Sequence, residues 1–379
     1  MQVYLDNSAT TKPSEGVIAE MARAMEEMYY NPSSLYARAF SVEKKMNECR
    51  EIIRRAVGAK DARVIFTSGG TESNNLALFG AVGVMRPPVR VAVSAVEHPS
   101  VLEAAQRLKE SGAEIVILPV LSDGSLDFDF LEEELKKGLS LVSVMQVNNE
   151  TGAISDIERV SKLTREYNSL LHVDGVQGFL RVKFDFSLCD MYTLSAHKIH
   201  GPKGIGALVV RKGMRLKACH IGGGQEDALR SGTENTPGIF GLMRAIDEMQ
   251  AMENLSCSLM EKKLYLKEKF IEAVPGLMVN GPSPETAAPH IINFSFPNVR
   301  GEVMLHALEE ENVFASTGSA CSSKKMKVSS VLTAMGMRPR EAEWALRFSL
   351  SPYTTFEEID YAAKVVKEKY EILKRFQRR

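Results

Sequence analysis

Lys198 stands in Ser195-Ala196-His197-Lys198-Ile199-His200-Gly201-Pro202-Lys203-Gly204, among small, polar and turn-forming residues. Desolvating an ammonium is expensive, and a lysine relieved of its proton by burial can form a Schiff base with an aldehyde. A second carboxyl-and-amide pair lies one strand earlier, in His172-Val173-Asp174-Gly175-Val176-Gln177. Asp174 ends an apolar run, so it reads either as the cap of a following helix or as the partner of a buried cation. At about 4 Å and an effective dielectric of about 20, such a pair is worth roughly 4 kcal/mol. A pyridinium nitrogen is a natural cation for that place, and a carboxylate there keeps the ring an electron sink. Lys198 and Asp174 together suggest pyridoxal phosphate.

Other stretches add chemistry. Ser68-Gly69-Gly70-Thr71-Glu72-Ser73-Asn74-Asn75 opens a helix after a strand. Its glycines permit close approach, and the helix N-terminus offers free N–H groups to a phosphate; a plain helix cap is the alternative. His98, in Glu97-His98-Pro99-Ser100, can stack on a flat ring or be structural. Gly222–Asn235 is a polar, glycine-rich loop containing Thr233. Cys321 sits in Ser319-Ala320-Cys321-Ser322-Ser323-Lys324-Lys325, without apolar neighbours and beside lysines that favour a thiolate. It reads as a nucleophile, whereas Cys49, Cys189, Cys219 and Cys257 lie in or beside regular segments and read as structural. Arg347, alone in the apolar run Trp344–Leu350, suits a carboxylate, whether of a substrate or of a structural salt bridge.

These residues need strand ends to hold them. Strand-like runs occur at Val64–Thr67, Arg90–Ser94, Glu114–Leu118, Leu141–Met145, Leu170–Asp174, Met191–Leu194 and Ala207–Val210, with helical patterns between several of them. That alternation predicts an α/β fold with a mostly parallel seven-stranded sheet covered on both faces, whose ligands bind at the carboxyl ends of the strands. Two helices are predicted earlier, over Ser14–Tyr29 and Ala37–Val57, and one long helical pattern runs from about Gly238 to Ala273. A junction near residue 252 divides the chain into a large cofactor-binding domain, 14–252, and a smaller α+β domain built from 1–13 and 253–379, which carries Cys321.

Composition narrows the class. Of 379 residues, 44% are hydrophobic and 25% charged, as in an ordinary globular protein, and the net charge of −1 gives no basic surplus for nucleic acid or an anionic membrane. No basic-then-apolar leader and no 18-residue apolar run is present, so a cytoplasmic location is expected. The five cysteines lack C-x-x-C spacing and the seven histidines lack H-E-x-x-H, so no metal is expected.

The motifs, taken in order, resemble the cysteine desulfurases, pyridoxal-phosphate enzymes of the fold-type I superfamily and the class V aminotransferase family. The likeness runs from Asp6-Asn7-Ser8-Ala9-Thr10-Thr11 through Asn31-Pro32-Ser33-Ser34, Ser68–Asn75, Glu97-His98, Asn148-Asn149-Glu150-Thr151-Gly152, His172–Gln177, Ser195–Gly206 and Gly222–Asn235 to Ser316–Ser323 and Leu346–Leu350. It implies that Lys198 carries the cofactor, His98 stacks on its ring, Asp174 meets the ring nitrogen and Gln177 the phenolate oxygen. Gly70, Thr71, Ser195 and His197 would surround the phosphate, with Thr233 supplied by the other subunit of a homodimer. Asn149 and Arg347 would bind the carboxylate of L-cysteine, and Cys321, in a loop resembling the long-loop nitrogen-fixation and iron–sulfur housekeeping group, would accept sulfur. The implied reaction converts L-cysteine to L-alanine and passes persulfide sulfur to an acceptor such as an iron–sulfur scaffold. A selenocysteine lyase, a cysteine C–S lyase and a non-catalytic sulfur-assembly scaffold are the alternatives. Two departures from the family pattern lie near Arg347: the bulky Trp344, and Ser351-Pro352 where Gly-Arg is usual.

Overall fold

A computed structural model describes residues 1–318 and 328–376. It begins with β1 (Val3–Tyr4), α1 (Glu15–Glu27) and α2 (Ala37–Ala56). Strands and helices then alternate: β2 (Arg63–Thr67), α3 (Gly70–Val82), β3 (Arg90–Ser94), α4 (Pro99–Glu110), β4 (Glu114–Leu118), α5 (Phe128–Lys136), β5 (Leu141–Met145), α6 (Ile157–Glu166) and β6 (Leu170–Asp174). β7 (Met191–Ser195) and β8 (Gly206–Val210) follow without a long helix between them. The remainder is α7 (Thr236–Ala251), α8 (Leu255–Ala273), β9 (Met278–Asn280), β10 (Ile291–Ser295), α9 (Gly301–Glu309), β11 (Val313–Phe314), α10 (Ser330–Ala334), α11 (Pro339–Ala342), β12 (Ala345–Ser349) and α12 (Phe356–Leu373).

The seven-stranded sheet has the order β2-β8-β7-β6-β5-β3-β4, and only β8 runs against its neighbours. β5, β7 and β8 are buried at all five positions, as continuous apolar strands must be when helices cover both faces. β4, at the edge, is largely open to solvent. Helix starts follow local chemistry: Ser14, Asp127, Asp156 and Asn235 each cap the first turn of the helix that follows, and Thr355 with Glu358 forms a capping box on α12.

A separate core gathers Val3, Leu5, Leu259, Phe270, Phe294, Phe348 and Ile359, with Phe270 and Phe348 edge to face at 5.0 Å. Its antiparallel sheet has the order β12-β10-β9, and β1 pairs in parallel with β11. The long helical pattern expected after Gly238 is in fact two helices. Asn254 adopts φ +50 and breaks the run between α7 and α8, a conformation asparagine tolerates better than most residues.

Candidate active site

Because β2, β3, β5, β6 and β7 point the same way, the segments leaving them share one edge of the sheet. β6 delivers Asp174, β7 delivers Ser195 and the short turn Ala196–Lys198, β3 leads to Glu97-His98, and β5 leads to Asn148-Asn149. β2 runs into the N-terminus of α3.

Asp174 is buried, and both its oxygens are satisfied. Oδ1 accepts from the Val176 N–H at 3.0 Å, and Oδ2 accepts from Asn74 Nδ2 at 2.7 Å. No helix follows Asp174, which removes the helix-cap reading. Asn74 Nδ2 also donates to Ser100 Oγ at 2.9 Å, and Ser100 Oγ lies 2.8 Å from His98 Nδ1. A hydrogen-bonded chain therefore runs from Asp174 through Asn74 and Ser100 to His98. The Ser100 N–H donates to His98 Nδ1 at 3.1 Å, which leaves the imidazole proton on Nε2. Burial pushes the His98 pKa down, Lys198 adds to that effect and Asp174 opposes it. Beside this chain the Glu97 carboxyl accepts from the Met145 N–H at 2.6 Å. Burial, and then the charge of Asp174, push its pKa well up.

Lys198 is half-buried, less enclosed than its sequence context suggests, and its Nζ donates to the Ser8 and Ala9 carbonyls at 2.6 and 2.8 Å. Gln177 Nε2 donates to the same Ser8 carbonyl at 2.9 Å. Thr10 Oγ1 lies 3.1 Å from His197 Nδ1, and Thr11 Oγ1 donates to the His197 carbonyl at 2.9 Å. Residues 6–11 thus form a strap across the site. Its first member, Asp6, pairs with the buried Arg347 at 2.6 Å, and the Asn149 carbonyl accepts from the same guanidinium at 2.8 Å. Trp344 instead lies under Arg340, and Ser351-Pro352 forms a turn whose Pro352 carbonyl accepts from Lys262. Neither departure shares a partner with Arg347.

A cavity of about 310 Å³ opens beside Lys198, lined by Ala9, Thr10, residues 68–72, Ser195, His197, Lys203 and Gly204. The N-terminus of α3 faces it, and Ser195 Oγ is buried there without a hydrogen-bond partner. Gln177 Oε1 is likewise buried and unpartnered. Gly70 packs so closely that a Cβ would stand 2.8 Å from Val176 Cγ2. Unspent donors at a helix N-terminus, a lysine and a buried carboxylate suit a phosphorylated, cationic ring, so the residues present fit pyridoxal phosphate.

Of the residues singled out in the sequence, Gly70, Thr71, His98, Asp174, Gln177, Ser195, His197 and Lys198 come to this edge, with Asn149 and Arg347 beside it. Thr233 is exposed and does not line the cavity of its own chain, and Cys321 lies outside the described residues. Cys49 and Cys189 are buried, but Cys219 and Cys257 are exposed, which corrects the expectation that all four are structural. Asp6, Asn74, Glu97 and Ser100 were not singled out; the run of polar residues Ser73-Asn74 inside a buried helix was the available signal for Asn74.

Beneath the site, His172 is enclosed between Ser143 Oγ at 2.8 Å and Thr193 Oγ1 at 3.0 Å, and burial pushes its pKa down to about 3. Its unfolded value is about 6.5, so the folded state binds the proton less well than the unfolded chain. Its contribution is therefore intact above pH 6.5 and is lost as pH falls toward 3, at about 1.4 kcal/mol per unit. Urea unfolding at pH 7 and pH 5 should differ by about 2 kcal/mol from this residue, and His172→Gln should flatten the difference by that amount. An unchanged slope in the variant would refute the assignment.

The fold is that of the fold-type I pyridoxal-phosphate enzymes. The chain belongs to the class-V aminotransferase family, whose profile matches residues 3–362, and it is a pyridoxal-phosphate-dependent enzyme. It is 40% identical over 377 residues to the cysteine desulfurase IscS of Dictyoglomus turgidum, covering 98% of this chain and 95% of that protein. It is 38% identical to a cysteine desulfurase of Nostoc sp., covering 98% and 94% respectively. Among solved structures, a NifS-like protein superposes with a TM-score of 0.90 at 33% identity, covering 98% of this chain and all of that one. SspA in complex with cysteine superposes with a TM-score of 0.83 at 31% identity, covering 94% of this chain and all of that one.

Proposed function

We propose that the protein is a cysteine desulfurase that converts L-cysteine to L-alanine and retains the sulfur as a persulfide on Cys321. The grouping of Lys198, Asp174 and His98 at one edge of the sheet, next to a cavity lined by Thr71, Ser195 and His197, carries the reading, and the near full-length likeness to cysteine desulfurases supports it. When bound, pyridoxal phosphate supplies an aldehyde for amine exchange and a ring that withdraws electrons from the substrate Cα. The α3 N-terminus, Thr71, Ser195 and His197 would hold its phosphate, Gln177 would meet the phenolate oxygen, and His98 would lie against the ring. Asp174, fixed by Asn74 and the Val176 N–H, would hold a proton on the ring nitrogen. Arg347, with Asn149, orients the substrate carboxylate. The Lys198 amine takes the Cα proton at Nζ. The Cys321 thiolate attacks the substrate sulfur: an S–S bond forms, the C–S bond breaks, and its electron pair remains with the carbon that becomes the alanine methyl group. Alanine released from L-cysteine by the purified protein, with sulfide only when reductant is added, tests this; no alanine would overturn it.

The same reading includes a homodimer, a cytoplasmic location and a separate acceptor protein such as an iron–sulfur scaffold. The divided cores support a large unit of 14–252 and a smaller one of 1–13 with 253–379. No described helix is long and apolar enough to cross a membrane. If Thr233 completes the partner's phosphate site, a mixed dimer of Lys198→Ala and Thr233→Ala subunits has one intact and one doubly damaged site. Mixing two inactive variants should restore alanine formation; none, with subunit exchange confirmed by mass, would exclude a shared site.

A further inference from the structure

Glu150 is a buried carboxyl that the mechanism above does not use. It is 6% exposed and lies in the turn 148–152, which leaves β5. That turn is built around Asn148. Its Oδ1 accepts from the Glu150 and Thr151 N–H groups, both at 2.9 Å, and its Nδ2 donates to the Val96 carbonyl at 3.0 Å. The Glu150 carbonyl accepts from Asn293 Nδ2 of β10 at 3.2 Å. The side chain therefore leaves a backbone fixed by the turn after β3 on one side and by β10 on the other. Burying a carboxyl costs free energy unless it is hydrogen-bonded, and here Oε2 accepts from Ser329 Oγ at 2.5 Å.

The residues that meet this carboxyl flank one stretch of chain, 319–327, which contains Cys321. On one flank is Gly318, with φ +84, packed so closely that a Cβ there would stand 2.8 Å from Glu150 Oε2. Glycine alone serves both the left-handed backbone and that approach. The Gly318 N–H donates to Ser316 Oγ at 3.2 Å, and Ser316 exchanges main-chain hydrogen bonds with Arg347 at 2.7 and 3.1 Å. On the other flank is Ser329, whose Oγ also accepts from the Leu332 N–H at 3.1 Å and so caps α10. Val331 and Leu332 of α10 belong to one apolar cluster with Val96, two residues before His98. Arg347 in turn donates to the carbonyl of Asn149, the chain neighbour of Glu150. One carboxyl thus ties both flanks of the Cys321 stretch to the turn that meets Arg347.

We propose that Glu150 is a positioning residue for sulfur transfer, holding Gly318 and Ser329 in fixed relation to Arg347 so that the chain between them brings Cys321 to a substrate bound there. The reach is specific: aspartate, one methylene shorter, would not both accept from Ser329 and lie under Gly318. Bond formation between thiolate and substrate sulfur depends on geometry, and a misplacement of about 1 Å can cost about a hundredfold. Loss of the carboxyl leaves the cap of α10, the Arg347–Asp6 pair and the contacts of Asp174 in place, so the effect falls on sulfur transfer and not on the fold or the cofactor. The inference rests on Cys321 being the sulfur acceptor.

The test is a single turnover of the holoenzyme with L-cysteine and no reductant, following the visible spectrum and, by mass spectrometry, the sulfur on Cys321. Glu150→Ala should keep the spectral change on mixing but take up sulfur at least about tenfold more slowly than wild type. Glu150→Gln, which keeps an oxygen within reach of Ser329, should restore most of the rate. Amide exchange gives a readout independent of turnover: peptides over 313–318 and 329–335 should exchange faster in Glu150→Ala, with those over β5 and β6 unchanged. Wild-type sulfur uptake by Glu150→Ala, loss of its spectral change, unaltered exchange at both flanks, or a Gln variant as slow as the Ala one each overturns the proposal. If Glu150→Ala does not fold, Ser329→Ala removes the same bond from the other side. It should slow sulfur uptake likewise, and uptake at the wild-type rate overturns the proposal. Wild-type protein that forms alanine without sulfur on Cys321 defeats the reading of Cys321; equal uptake by wild type and variant defeats only this inference.

Discussion

Lys198→Ala should abolish alanine formation within the sensitivity of the assay while leaving a folded protein. General base catalysis by a positioned side chain is worth about a hundred- to ten-thousand-fold, and this change also removes the amine that anchors the cofactor. The visible absorbance of the purified protein should disappear or become removable by dialysis. Lys203 lines the cavity at the N-terminus of α3 and is the rival amine. Borohydride reduction of the wild-type protein followed by peptide mapping separates them. A label on Lys198 is expected, and one on Lys203 would move the chemistry to the other side of the turn.

Replacing Cys321 with serine should have a different signature. An alcohol is almost never ionised at neutral pH, whereas a thiol of ordinary pKa is ionised to a few per cent and is intrinsically the better nucleophile. Alanine formation should fall by orders of magnitude with the visible absorbance unchanged, since no cofactor contact is assigned to this residue. Cys219 and Cys257 are the competitors, because both are exposed. Cys49 and Cys189 are poor candidates, their thiols being held protonated by burial. Mass spectrometry after L-cysteine should find added sulfur on Cys321 alone. Near-normal turnover by Cys321→Ser would remove the persulfide step and favour a lyase.

Every strand of the large sheet was legible because each is a five-residue apolar or alternating run bounded by turn residues. β1 and β9 were not, since two or three residues carry no period. The α7–α8 break was hidden because Met252-Glu253-Asn254 contains neither glycine nor proline. At the site, Lys198, Asp174 and His98 could be grouped from sequence because parallel strands put their carboxyl ends on one edge. What sequence could not disclose was pairing across distance. Asp6 and Arg347 are 341 residues apart, and nothing local in either marks the other. Arg347 was recognised as a carboxylate binder, but its carboxylate in this structure is Asp6, and Asn149 contributes its main-chain carbonyl.

The strap also sets an order of events during synthesis. Residues 3–8 are made early, yet their anchors on β11, Arg347 and Ser349 come late, whereas residues 8–11 also meet Gln177, His197 and Lys198. At about 5–20 residues per second, roughly 20 to 70 seconds separate translation of residue 11 from that of residue 349. Through that interval the strands bearing Asp174 and Lys198 can form, and the strap has only its contacts to Gln177, His197 and Lys198 to hold it. The strap then closes over one of the longest loops the chain allows, a contact of high order and correspondingly slow formation. Until residue 349 is made the cover over Lys198 lacks its anchors on β11, Arg347 and Ser349, so a free aldehyde cofactor would meet it less firmly closed than in the finished fold.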